Sequence, residues 1–385
     1  MKPLSGLRVL DLSRLLPGPF ASLVLADMGA SVDKLEDTQG GDYLRHMPPT
    51  LGGESGMFLS LNRGKRSAVL DLKSSAGREL FLEMLASYDV LIDQFRPGVM
   101  DRLGLSHATL TEKYPRLIVC AITGYGQTGP LAQRAGHDIN YLARAGILGF
   151  QGPGGSAPQP PGFQLADVSS SLYSVIGILG ALVAREKSGK GTVIDISMTE
   201  SAIGFAAIGY GALSAGGDSV RGEDVLTGGI APYNTYETKD AKYVALGALE
   251  PKFWGSFCAG VGIACEMGAL MPGPHQAELK ETLRGIFRTK TREEWVQFSA
   301  MNDCCLEPVL TPKEALADSH LQARGAFFSL ASAFGALPQF STPVSSDPSH
   351  ASSPPKQGEH TDAILKDAGI TDARIEELRA QGAIR

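Results

Sequence analysis

His137 stands directly after a glycine in the run Gln133-Arg134-Ala135-Gly136-His137-Asp138-Ile139-Asn140-Tyr141-Leu142-Ala143, and Asp167 follows in Leu165-Ala166-Asp167, where an apolar helical run begins. An imidazole and a carboxyl can each hold or release a proton. Together they suit a reaction that takes a proton from one face of a carbon and returns it on the other. The start of a helix favours a negative charge, so Asp167 is expected to be readily ionised. By spacing alone Asp167 also reads as a plain helix cap and His137 as a hydrogen-bonded loop histidine.

The elements that must position these residues alternate. Residues 7–12, 31–35, 68–72, 90–93, 117–122 and 193–196 read as strands, with helical spacing at 20–28 and 75–87 between them. This pattern predicts a parallel sheet covered on both faces, with its sites in the loops after the strands. Gly152 to Gly162 is too rich in glycine and proline for regular structure and separates the His137 segment from the Asp167 helix. The apolar stretch at 175–184 reads as a buried helix, too short to span a membrane. Expected domains are 1–215, a smaller α+β domain at 216–325, and a segment at 326–385. That last segment holds a Ser- and Pro-rich linker at 338–355 and helical spacing at 361–384.

With 385 residues, 43% hydrophobic and 20% charged, the chain can bury a sizeable core. A net charge of -6 gives no field to gather nucleic acid or an anionic membrane. Five cysteines without CxxC spacing point to neither a disulfide framework nor a metal site, and the first residues lack the pattern of a secretory leader, so a cytoplasmic location is expected. Arg96, in Phe95-Arg96-Pro97-Gly98, is the best candidate phosphate ligand, because a guanidinium fork matches phosphate oxygens. Arg63, Lys65 and Arg66 form a basic cluster that can hold further phosphates or simply be a solvated loop.

The motifs Leu4-Ser5-Gly6-Leu7-Arg8-Val9-Leu10-Asp11, Leu25-Ala26-Asp27-Met28-Gly29-Ala30, Asn62-Arg63-Gly64-Lys65-Arg66-Ser67, Phe95-Arg96-Pro97-Gly98-Val99, Gly124-Tyr125-Gly126-Gln127-Thr128-Gly129-Pro130, Ala166-Asp167 and Gly358-Glu359-His360-Thr361 span nearly the whole chain. In them the sequence resembles the class III CoA-transferase superfamily, and within it the alpha-methylacyl-CoA racemase branch. The resemblance implies a Rossmann-like large domain, a small domain, a C-terminal segment returning to the large one, and an interlocked homodimer. It implies an acyl-CoA thioester as substrate, with no separate cofactor and no metal. His137 and Asp167 take the roles of proton carriers, and Glu250, in Leu249-Glu250-Pro251, that of the acid supporting the histidine. Arg96, Arg63, Lys65 and Arg66 would hold the CoA phosphates, and Tyr125 and Gly126 would border the pantetheine arm. The transferase branch uses the same aspartate as a nucleophile, through an aspartyl-CoA intermediate, but lacks Gly-His-Asp-Ile-Asn-Tyr. Val168 to Ser171 stand where racemases have an aromatic and glycines, so added bulk near the acyl group is expected. A CoA-binding protein without turnover is the corresponding third reading.

Overall fold

The computed structural model describes residues 2–344 and 351–385. Six parallel strands form its main sheet: β1 (Arg8–Asp11), β2 (Ser31–Glu36), β3 (Lys65–Val69), β4 (Val90–Asp93), β5 (Ile118–Thr123) and β6 (Val193–Ser197). Their spatial order is β3-β2-β1-β4-β5-β6. This is the doubly wound Rossmann order, in which the chain reverses its direction of travel between β1 and β4 and leaves a crevice at the carboxyl ends of the strands. Val9, Leu10, Leu91, Ile92, Val119 and Ile122 are fully buried, because helices cover both faces of the sheet. The third strand lies at 65–69 rather than the expected 68–72: Lys65 and Arg66, which read as loop charges, are paired within the fold.

Four helices place the candidate residues. Helix α1 (Pro17–Asp27) opens with proline, whose fixed φ suits the first turn. Helix α2 (Ser75–Leu85) is capped by Ser74, whose hydroxyl accepts from the Gly77 amide. Helix α3 (Asp138–Arg144) follows His137, and α4 (Leu165–Ser188) packs on α1, β5 and β6. By length and composition α4 is apolar enough to cross a membrane. It corrects the expectation of a short buried helix at 175–184. One side of it is buried, whereas Leu172, Tyr173, Ile176 and Val183 are exposed.

The chain divides into two compact units, one formed by Met1–Ala145, Phe163–Phe205 and Gln322–Arg385, the other by Gly146–Gly162 and Ala206–Leu321. The glycine- and proline-rich segment thus belongs to the second unit, which begins before the expected boundary at 216. That unit has an antiparallel sheet in the order β9-β8-β7, made of β7 (Tyr233–Glu237), β8 (Tyr243–Gly247) and β9 (Leu306–Pro308), beside helices that include α5 (Pro251–Val261). In the first unit β10 (Phe327–Ser332) and β11 (Gly335–Phe340) form a hairpin, so the expected linker at 338–355 starts inside a strand, and its residues 345–350 lie outside the described residues. The segment expected to be one helical run at 361–384 is two helices, α6 (Thr361–Asp367) and α7 (Asp372–Ala380). Ile364, Leu365, Ile375 and Leu378 join the core beneath the sheet.

Buried charges hold the carboxyl end of β1. Asp11 accepts from the Ser13 amide (2.8 Å), the Ser13 hydroxyl and the Ser22 hydroxyl (2.5 Å), and faces Lys65 Nζ at 3.7 Å. Lys34, fully buried, donates to the Ser13 carbonyl (2.6 Å) and pairs with Asp42 at 3.0 Å. Burial pulls the Asp11 carboxyl upward, but Lys34 and Lys65 outweigh it and hold the group below its ordinary value. Replacing Lys34 by Met should strand two buried carboxylates and cost about 3–5 kcal/mol in urea unfolding, with partial recovery in Lys34→Met/Asp42→Asn. A loss under about 1 kcal/mol would show that the ammonium does not balance these acids.

Candidate active site

A cavity of about 570 Å³ opens at the carboxyl ends of β1, β4, β5 and β6, lined among others by Arg14, Arg96, Arg134, His137, Tyr141 and Asp167. The position follows from the topology, since strand ends diverge where the chain reverses. Three arginines on one wall suit an anionic ligand. Among the described residues, the side chains of Arg96 and Arg134 have no hydrogen-bond or ion-pair partner. Arg14 lies over the Tyr43 and Phe95 rings and 3.7 Å from Asp37. Beside it Leu15 holds φ at +62°, a strained conformation for a leucine, fixed by a hydrogen bond from its amide to Asp42 (3.1 Å).

The Arg96 loop is built by its own sequence. The Val99 amide donates to the Arg96 carbonyl (3.1 Å), closing a turn with Pro97 and Gly98 in the middle. Gly98 has φ +78°, which the absence of a side chain permits, so the turn is of type II. Asp93, at the end of β4, accepts from the Phe95 amide and pairs with His107 Nε2, both at 2.8 Å, and Gln133 Nε2 donates to the Pro97 carbonyl at 3.0 Å. The hydrogen bond from Asp93, against the opposing effect of burial, raises the His107 proton affinity.

His137 is exposed at the start of α3, and its amide donates to Asn140 Oδ1 (3.0 Å). Tyr141 donates to the Gly136 carbonyl (2.6 Å) and packs so closely that a Cβ on Gly124 would lie 2.4 Å from its ring. Glycine at 124 therefore lets the β5 loop and α3 meet. Asp167 is the third residue of α4, not its cap: Gln164 precedes the helix, and Asp138 Oδ1 accepts from the amides of Ala166 (2.7 Å) and Asp167 (3.1 Å).

A profile of the family described as CoA-transferase family III matches residues 4–361. The chain belongs to this family. It is 37% identical over 382 residues to alpha-methylacyl-CoA racemase of Mus musculus, covering 98% of this chain and 96% of that one. It is 30% identical over 403 residues to succinyl-CoA:glutarate CoA-transferase of Homo sapiens, covering 100% and 90%. A solved CaiB/BaiF family protein from Brucella suis superposes with a TM-score of 0.83 at 31% identity, covering 95% of this chain and 99% of that one. Family III thus unites racemases and transferases on one framework.

In this family III chain the aspartate is not the ready anion that its helix position suggests. Burial, and then the nearby charge of Asp138, push the Asp167 carboxyl up to about 7. The first amides of α4, which would have stabilised its charge, are engaged by Asp138 instead. The serines after it do not crowd the cavity. Ser169, Ser170 and Ser171 are buried; Ser170 and Ser171 bond back to the Asp167 carbonyl, and Ser171 Oγ donates to the Pro17 carbonyl at 2.6 Å. None of Val168 to Ser171 lines the cavity, so the bulk expected there does not enter it, and the small Ser171 side chain packs against α1.

His137, Asp167 and Arg96 line the same cavity, and the other sequence candidates fall elsewhere. Arg63 is fully buried against Asp27 (2.6 Å) and between the Phe328 and Phe340 rings. Lys65 is buried among Pro19, Asn62 and Asp11, and burial draws it down to about 7. Arg66 is held bidentately by Asp33 and also by Asp367. None of these three lines the cavity, and their ion pairs give them structural work, which corrects the reading of a phosphate cluster. Tyr125 stacks edge-on against Tyr141 (5.2 Å) and lines a neighbouring hollow with Arg134 and Arg144, while Gly126 turns with φ +87° beside Asp195. Glu250 lies in the second unit, exposed at the start of α5. The sequence reading gave no role to Arg14, Arg134 or Asp138. A basic residue just after β1 and another three positions before His137 were the available signals for the arginines.

Because the folded state raises Asp167 from 3.8 to about 7, it binds this proton more tightly than the unfolded chain does. Stability from this group is therefore full at low pH and is lost as pH rises across that window. Asp167→Asn should raise the melting temperature relative to the parent more at pH 8 than at pH 5, by roughly 2–4 °C in thermal melts. An equal difference at both pH values would mean that the carboxyl titrates as an ordinary surface acid.

Proposed function

We propose that the protein epimerises the 2-position of a 2-methyl branched acyl-CoA by proton transfer through an enolate. One observation carries this reading: a histidine and an aspartate that retains its proton near neutrality face the same arginine-lined cavity. A nucleophilic aspartate is useful only when ionised, whereas a proton carrier must visit both states, and a carboxyl near 7 does so.

In one direction His137 removes the proton alpha to the thioester carbonyl while protonated Asp167 delivers one to the opposite face. In the other direction the roles exchange. The enolate oxygen needs donors in a dry site. The amides of α4 at Ala166 and Asp167 are taken by Asp138, and at the start of α3 those of Asn140 and Tyr141 donate to the His137 carbonyl, which leaves the amides of Asp138 and Ile139 as candidate donors. Arg96, Arg134 and Arg14 would bind the CoA phosphates. The thioester itself acidifies the alpha proton, so the proposal invokes no further cofactor.

The proposal includes a homodimer. The exposed apolar residues Leu172, Tyr173 and Ile176 on α4, with Ile203 and Phe205, form a face that a second copy would cover. The partner subunit's Glu250 is then proposed to support His137. The names of the racemase relatives support the choice of substrate.

Incubating one enantiomer of a 2-methylacyl-CoA in deuterated water should give deuterium uptake and loss of stereochemical purity without any acceptor acid. His137→Ala should abolish exchange starting from one enantiomer while sparing much of it from the other, read by NMR of the alpha position. CoA transfer appearing only with an added carboxylate, and no exchange, would assign the protein to the transferases with Asp167 as nucleophile. Arg96→Ala should raise KM by about 10–100-fold, the usual worth of a charge-assisted phosphate contact, with a small change in kcat. Unchanged KM would remove Arg96 from the phosphate site.

A further inference from the structure

The residue after the histidine has no part in the proton transfer just described, yet it reaches the other proton carrier. Asp138 is the first residue of α3, and its Oδ1 accepts the backbone N–H of both Ala166 and Asp167 in the first turn of α4, 28 and 29 positions away. Gln164, the local residue ahead of α4, supplies no side-chain cap. A helix of 24 residues is therefore capped by an acid from another element.

We propose that Asp138 is a positioning residue for Asp167: its cap fixes the start of α4 against α3, and it sets a second acid beside the buried Asp167 carboxyl. The inference rests on the reading of Asp167 as a proton carrier. Two carboxyls sit close together here with unequal support. Asp138 receives two amide hydrogen bonds, whereas among the described residues the Asp167 carboxyl receives none. Hydrogen bonds to a carboxylate favour its charged form, so Asp138 ionises first. A second charge beside it is then disfavoured, and the proton stays on Asp167. Burial raises both groups, but on Asp138 the two amide bonds work against it, while on Asp167 the neighbouring charge adds to it. The other ionisable groups around Asp167 are His137 and Tyr141 from the α3 segment, Tyr43, and the guanidinium groups of Arg14, Arg96 and Arg134 on the cavity wall.

The consequence for the reaction is a matched pair. An aspartate left to the α4 dipole and its free amides would be a weak base and, near neutrality, almost never an acid. By taking those amides for itself, Asp138 denies them to Asp167. The same contact that orders the helix thus adds to burial in raising the proton affinity of its third residue.

Asp138→Asn separates the two effects, because the amide oxygen still accepts from Ala166 and Asp167 while the charge is gone. In carboxyl-labelled protein, with the Asp167 resonance assigned by its loss in Asp167→Asn, the Asp167 midpoint should fall by about one pH unit in Asp138→Asn. The melting temperature should change little, and Asp138→Ala, which loses the cap as well, should melt lower. In the direction in which Asp167 is the base, the acid limb of kcat/KM for epimerisation should move down by the same amount. A midpoint unchanged in Asp138→Asn would overturn the proposal and leave Asp138 a structural cap. If the midpoint falls while neither parent nor variant exchanges deuterium, the tuning stands and it is the assignment of Asp167 as proton carrier that fails.

Discussion

Asp11 is the point from which the geometry of the site can be traced. Fully buried at the end of β1, it gathers Ser13, Ser22 and Lys65, and so joins the first strand to α1 and to the strand two places away. That junction shapes the loop between them, which carries Arg14 and the strained Leu15 and presents the Pro17 carbonyl. Ser171 donates to that carbonyl, and Ser171 lies one turn after Asp167 on α4. The loop and these hydrogen bonds thus connect a buried ionic cluster to the backbone carbonyl of Asp167, whose side chain lines the cavity. The groups involved are dry, so each bond that is lost leaves a polar group without water to replace its partner.

The same framework binds its other side through Asp93. That residue ends β4 as Asp11 ends β1, and it likewise turns the chain by accepting an amide two residues on, from Phe95, as Asp11 does from Ser13. Two neighbouring strands therefore end in the same way, on either side of the point where the chain reverses. The crevice follows from the topology; its shape follows from these two acids, which direct the arginine-bearing loops over its mouth.

The sequence made the sheet legible because strand-like runs, some apolar and some alternating, recur between helical ones at 7–12, 31–35, 90–93, 117–122 and 193–196. It failed at Lys65 and Arg66, where charge suggested a loop. Their partners, Asp11 and Asp33, lie far away in the chain, and no local pattern shows that a lysine will be buried against an acid from another strand. The phosphate reading of Arg63, Lys65 and Arg66 failed for the same reason. For Val168 to Ser171, bulk was inferred without knowing which way a helix would turn them; Ser171 bonds to the start of α1, and Ser169 and Ser170 bond back within α4. The ionisation of Asp167 was misjudged because the helix start was visible while the acid that occupies it, Asp138, is not local to it.

That last case bears on how one framework serves two chemistries. Relatives at 30–37% identity are named both as racemases and as CoA-transferases, and the fold does not separate them. The surroundings of the shared carboxyl are one place where the two chemistries make different demands, and the histidine is another. A carboxylate given amide donors is an anion, fit to attack a thioester carbonyl. One deprived of them, desolvated and set beside a second acid, keeps its proton and can give it up or take it back. The difference here is about three pH units, or about 4 kcal/mol, which burial supplies first and the neighbouring charge of Asp138 second. In this chain the acid that receives the amides at the start of α4 is Asp138, and the buried Asp167 beside it is left without them.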